Sequence, residues 1–114
     1  MNTIHLTAQK CEACEGGVLP LTRAEAEGLL TQTPDWQLTE DAATLYREYV
    51  CSNFVDALTL LNLAGEIAEQ EGHHPDLHLT NYKQVRIELT THAIDGLSKN
   101  DFIVAAKLDA EYGD

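Results

Sequence analysis

The sequence predicts an α+β fold in which an antiparallel sheet carries helices on one face. Three observations lead there. Four short segments alternate apolar and polar residues with the period of a half-buried strand, and they come as two adjacent pairs joined by polar turns. A long stretch between the pairs, residues 54–71, repeats its apolar positions every three and four residues. Capping signals mark two further helices, so the coarse order is αββαββα, in which strands pair locally and helices intervene.

Taken in order, residues 1–20 read as an irregular tail, with Gly16-Gly17 and Pro20 interrupting any element. Thr22-x-x-Glu25 is a capping box that opens a short helix through Leu30, and Pro34 stops it. Residues 36–39 and 45–51 read as two strands around the polar turn Glu40-Asp41-Ala42-Ala43. Asn53 can cap the long helix, whose stripe is Phe54, Ala57, Leu58, Leu61, Ala64 and Ala68, and Gly72 ends it. Beyond Pro75, Leu77 and Leu79 alternate with polar residues. A turn at Asn81-Tyr82-Lys83 leads to Val85, Ile87 and Leu89, which alternate with Arg86, Glu88 and Thr90. Gly96 turns the chain, and Ser98-x-x-Asp101 opens the last helix, with Phe102, Ile103, Ala106 and Leu108 as core candidates. Trp36, the sole tryptophan, is read as a core residue.

The 114 residues are read as a single domain. A net charge of −12 argues against nucleic-acid binding through a basic patch and against docking on anionic lipid. No apolar run approaches the ~18 residues of a membrane span, and the start lacks the regions of a signal peptide. Together with an odd count of three cysteines, these features predict a cytoplasmic protein.

The chemistry concentrates in the histidines. Of five, four fall at positions 73, 74, 78 and 92. Histidine is the side chain whose ordinary pKa lets it both take and give a proton near neutrality. His73 and His74 follow the long helix directly, near its negative dipole end. Pro75 extends the backbone at His74, so the two rings should point in different directions. His92 is placed at the end of a strand, a rigid place to hold a catalytic group. His78, between Leu77 and Leu79, should face outward as a solvated residue. The expectation is one concave pocket shared by His73, His74 and His92, with Asp101 close to His92.

Several residues carry a bland reading beside the functional one. Asp101 occupies a capping-box position and needs no catalytic role to be explained, yet it could also orient an imidazole. Glu69 sits one turn before His73, where it is either a solvated helix residue or part of the pocket rim. Cys11-x-x-Cys14 lacks the strand-to-helix context of a redox motif and a second pair to complete a zinc knuckle, so two ordinary cysteines in a flexible tail are expected. Adjacent histidines rarely ligate one ion and no cysteine lies near them, so no tight zinc or iron is expected at the histidines.

These residues resemble the pterin-4a-carbinolamine dehydratase family. The match rests on Glu69-x-x-x-His73-His74-Pro75, Tyr82, Lys83-x-Val85, Thr91-His92, Gly96-Leu97-Ser98 and Asp101, without gaps from Glu69 to Asp101. The leader Lys10-Cys11-Glu12-Ala13-Cys14, followed by Pro20-Leu21-Thr22, resembles that of bacterial members. The resemblance implies a four-stranded antiparallel sheet with helices on one face, and a homodimer or homotetramer. It implies dehydration of 4a-hydroxytetrahydropterin to quinonoid dihydropterin, which recycles the cofactor of aromatic amino acid hydroxylases and suggests a functional link to phenylalanine hydroxylase. It makes His73 and His92 the acid/base pair, sets His74 and Pro75 against the substrate, and gives Asp101 and Glu69 supporting roles, with no metal or organic cofactor. Two positions depart from the family: Leu77 stands where an aromatic residue is common, and Asp95 precedes Gly96 where many members have Gly or Ala.

The resemblance also carries a competing function. Animal members act as dimerisation cofactors for a homeodomain transcription factor, and some divergent relatives look like assembly factors for a carbon-fixing enzyme. Persistence of all three histidines favours catalysis over such a partner-binding role. A metal-dependent hydrolase or isomerase built on His73, His92 and Asp101 is the remaining alternative.

Overall fold

The structure is a computed structural model that describes residues 5–12 and 18–112. Its elements are α1 (Arg23–Leu30), β1 (Gln37–Leu38), β2 (Leu45–Val50), α2 (Phe54–Glu71), β3 (Asp76–Thr80), β4 (Gln84–Leu89) and α3 (Lys99–Tyr112), with 3₁₀ turns at Leu6–Ala8 and His92–Ile94. The four strands form one antiparallel sheet in the order β1-β2-β4-β3. The two hairpins therefore join through their second strands, β2 and β4, with Leu45 opposite Leu89 and Val50 opposite Gln84.

That register sets the faces. Leu45, Arg47 and Tyr49 of β2 and Val85, Ile87 and Leu89 of β4 point to the core, while Glu48, Arg86 and Glu88 point away. The outward face is polar. Arg86 lies 3.9 Å over the Tyr46 ring and pairs with Glu88, which also meets His78 at 3.2 Å. His78 is thus exposed on the face away from the helices.

The helix ends follow local chemistry. Thr22 and Glu25 form the reciprocal capping box of α1. The Asn53 side chain accepts the amide of Asp56 at the start of α2, and Gly72 closes α2 in the left-handed region at φ 66°. α3 is buried on far more of its circumference than its amphipathic spacing suggests: Asn100 through Ala106 are all buried, as is Leu108. α2 and α1 pack against it, and so does the turn at Leu6–Ala8, whose Leu6 is 1% exposed within the core. Residues 5–12 are accordingly docked, not loose.

Two positions differ from the sequence reading for a physical reason. Trp36 lies outside β1, buried, and its indole N–H donates to Asp109 in α3 at 2.9 Å. At the second turn the left-handed residue is Asp95, φ 54°, not Gly96. Gly96 instead makes room: a β-carbon there would meet Cβ of Pro20 at 2.6 Å, next to the bond from the Leu21 amide to the Leu97 carbonyl.

The two glycines should respond differently to alanine. Gly72→Ala meets open space and should lose about 1–2 kcal/mol through backbone strain alone. Gly96→Ala should be destabilising through the Pro20 clash, and less so in a Pro20→Gly background. Urea unfolding of the four single and double variants measures both effects, and additivity of Gly96→Ala with Pro20→Gly would contradict the packing account.

Candidate active site

The site begins where α2 stops. Gly72 turns the chain out of the helix, and the amides of Gly72 and His73 both close on the Ala68 carbonyl. This swings the His73 ring toward the start of α3, where its Nε2 lies 2.6 Å from Oδ1 of Asp101. Asp101 is fully buried. Its other oxygen accepts the Thr91 hydroxyl at 2.8 Å and the Ser98 amide at 3.0 Å. The single Thr91 hydroxyl proton is committed there, so the Ser98 hydroxyl, 2.7 Å away, donates to Thr91. Because a carboxylate only accepts, a neutral His73 ring carries its proton on Nε2.

Thr91 is itself held by a two-bond bridge to Gly96. This bridge closes the 3₁₀ turn that begins at His92. His92 therefore stands three residues beyond the end of β4, on a turn and not on the strand. Its ring is exposed and makes no hydrogen bond with the described residues. The carboxylate expected beside His92 is bonded to His73, because packing of α2 on α3 brings the end of one helix to the start of the other.

A cleft of about 490 Å³ opens over this arrangement, lined by Glu12, Glu71, Gly72, His73, His74, Thr90, Thr91, His92, Ala93 and Asn100. All three histidines line it. His73 is largely enclosed, its side chain 12% exposed, whereas that of His74 is 62% exposed. His74 pairs with Glu69. Glu69 does not line the cleft. It borders a separate groove with Leu61, Asn62, Gly65, Glu66, Gln70 and Leu77, and reaches the site only through His74. Pro75 is half-buried and is not part of the cleft wall. Among the described residues no group of three or more His, Cys, Asp or Glu side chains is arranged to hold a metal ion.

The remaining wall comes from the leader. Glu71 accepts the Cys11 amide at 2.9 Å through one oxygen and the Lys107 ammonium at 2.7 Å through the other. The Asn100 amide group accepts from Glu12 N–H at 3.0 Å and donates to the Glu12 carbonyl at 2.6 Å. Burial, reinforced by the Glu71 carboxylate, pushes the Cys11 thiol up to about 12. Burial also pushes Glu71 upward, but the Lys107 ammonium and the Cys11 amide outweigh it and hold Glu71 below its ordinary value. Cys14 lies outside the described residues.

Comparison with known proteins sorts this geometry. The family model described as Pterin 4 alpha carbinolamine dehydratase matches residues 19–111. A relative from Halorhodospira halophila, named "Putative pterin-4-alpha-carbinolamine dehydratase", is 48% identical over 105 residues, 92% of this chain and 95% of its own. The crystal structure of a transcriptional coactivator/pterin dehydratase from Brucella melitensis superposes with a TM-score of 0.73 at 27% identity, covering 80% of this chain and 96% of that one. A pterin dehydratase-like protein identified as a RuBisCO assembly factor in the α-carboxysome shares the fold, with a TM-score of 0.57 at 19% identity over 69% of this chain and 90% of that one. The chain belongs to the pterin-4a-carbinolamine dehydratase family. In this dehydratase-family chain, Glu12, Glu71, Thr91 and Asn100 are cleft residues to which reasoning from the sequence gave no role. Glu71 and Asn100 carry no motif signal, and the one signal for Glu12 is its place in the leader motif.

Two outcomes follow from the leader contacts. With Cys14 and Cys51 replaced by serine, Cys11 should resist iodoacetamide at pH 8 in the folded chain and react only on unfolding, because thiolate is the reactive form. Rapid native-state labelling would contradict the docked position. Glu71 has a folded pKa below its unfolded value, so it contributes stability above about pH 4.5 and loses that contribution as pH falls through the lower folded value. Thermal melts in acid should therefore show a smaller loss between about pH 5 and pH 3 in Glu71→Gln than in wild type.

Proposed function

We propose that this chain dehydrates pterin-4a-carbinolamine, 4a-hydroxytetrahydropterin, to quinonoid dihydropterin and water by histidine acid/base catalysis. The observation that carries the reading is the His73–Asp101 pair opening, with His92, into one cleft of a chain of this family. The reaction removes a proton from a ring nitrogen, breaks the C4a–O bond, and protonates the departing hydroxide. One proton is taken and one is given, so the catalyst returns to its starting state after exchange with solvent. Such a step calls for two positioned groups that titrate near neutrality.

In this proposal His73 is the base. Asp101 holds its Nε2–H, so Nδ1 accepts the substrate proton, and the carboxylate pairs with the imidazolium that forms. His92 is the acid that delivers a proton to the leaving hydroxide. His74, fixed by Glu69, contacts the substrate. The protein would recycle the cofactor of an aromatic amino acid hydroxylase and work as a homodimer or homotetramer. Exposed apolar side chains along α2, Phe54, Val55 and Leu58, support self-association. The transcriptional coactivator/pterin dehydratase of this fold supports a partner-binding role as the second reading, but the three histidines lining the cleft favour the dehydratase reading.

Stopped-flow dehydration of freshly generated carbinolamine tests the proposal, with circular dichroism on each variant. His73→Ala and His92→Ala should each lose on the order of 10²–10⁴-fold in kcat, the range of a positioned acid or base. His74→Ala should act mainly on KM, and His78→Ala, on the far face of the sheet, should match wild type. Full activity in folded His73→Ala and His92→Ala would remove the catalytic roles and leave the partner-binding reading in their place.

A further inference from the structure

The cleft contains an acid that the proposed proton transfers do not use. Of the two glutamates that line it among the described residues, Glu71 has both oxygens committed, one to the Cys11 amide and one to Lys107. Asp101, behind His73, likewise has both oxygens bonded. Glu12 is exposed and lines the cleft, and its carboxylate makes no hydrogen bond or ion pair with the described residues.

The backbone beneath Glu12 is nevertheless fixed. Its N–H and carbonyl are both held by the side-chain amide of Asn100, which is 8% exposed. The preceding residue is anchored by Glu71. Upstream, Leu6 is buried in the core and its amide donates to Gln32 at 3.0 Å. Ordering a segment of this kind costs conformational entropy at every residue. Here the ordering holds one uncommitted carboxylate against the cleft that the histidines line.

We propose that Glu12 is a substrate-binding, specificity-determining residue of this cleft, its carboxylate accepting hydrogen bonds from the 2-amino and N3–H edge of a pterin ring. The proposal rests on the dehydratase reading and adds to it how the ring is recognised. Adjacent N–H donors on a planar aminopyrimidine match the two oxygens of a carboxylate, as in other bidentate pairs. Among the described residues, the other side chains of the lining offer no second free carboxylate for that edge. Asn100 is then a positioning residue, acting through the leader backbone. A fixed negative charge at this wall also disfavours ligands that present an anionic edge there.

The test is equilibrium binding of 6-methyl-7,8-dihydropterin and 6-methyl-7,8-dihydrolumazine, which lacks the 2-amino group, to the full chain by fluorescence. Carbinolamine turnover is measured in parallel. Wild type should prefer the pterin by about tenfold, the scale of a charge-assisted hydrogen bond at an accessible site. Glu12→Ala should lose that preference by weakening the pterin alone. Asn100→Ala should weaken the pterin in the wild-type background and add nothing in the Glu12→Ala background, an absence of additivity that general loss of packing would not produce. Retained preference in Glu12→Ala, or equal weakening of both ligands, overturns the proposal and leaves the dehydratase reading intact. Glu12-dependent pterin preference in a wild-type protein that does not accelerate dehydration supports the proposal and overturns the catalytic reading. A wild type that binds neither ligand overturns both.

Discussion

The carboxylate of Asp101 is the constraint on which the rest of the site depends. It is fully buried, and a buried charge is tolerated only when its acceptor sites are used. One oxygen meets His73 as the chain leaves α2, and the other collects the Thr91 hydroxyl and the Ser98 amide. A single side chain thereby ties the end of α2, the turn after β4 and the start of α3. Each of these segments carries cleft residues, so the satisfaction of one buried group determines how the histidines are presented.

α3 can serve as that platform because it is fixed at both ends. Near its C-terminus, Asp109 accepts the Trp36 indole N–H and the Arg47 guanidinium, each at 2.9 Å. Burial holds the Asp109 carboxyl above its ordinary value even with these two donors beside it. Arg47 in turn lies 4.4 Å over the Tyr49 ring on the inward face of β2. A helix anchored by an acid at each end, one to the sheet and one to the site, has little freedom to slide, and the leader docks across it.

Much of this was legible in the sequence where the signal is local. Asn53 and Gly72 gave α2 its bounds, because a side-chain cap and a left-handed closing residue are chemical properties of single positions. Alternation gave the hairpins and sent His78 outward. What was not legible is non-local. Alternating strands carry no mark that β2 pairs with β4, and all four strands have the same period. Arg47 sits at a core position because Asp109, far along the chain, receives it. The bond from His73 to Asp101 depends on the packing of α2 on α3, which no local signal records. The leader read as a tail because Gly16-Gly17 and Pro20 break any element there, and its anchors Gln32, Glu71 and Asn100 are ordinary polar residues until the fold brings them to it.

The most direct test of the Asp101 constraint is the tautomer of His73, read from ¹⁵N shifts and ring couplings at a pH where the imidazoles are neutral. The account predicts that His73 carries its proton on Nε2, donated to Asp101, with Nδ1 unprotonated, and that Asp101→Ala abolishes this preference. A neutral His73 ring protonated on Nδ1 in the wild-type protein would contradict it.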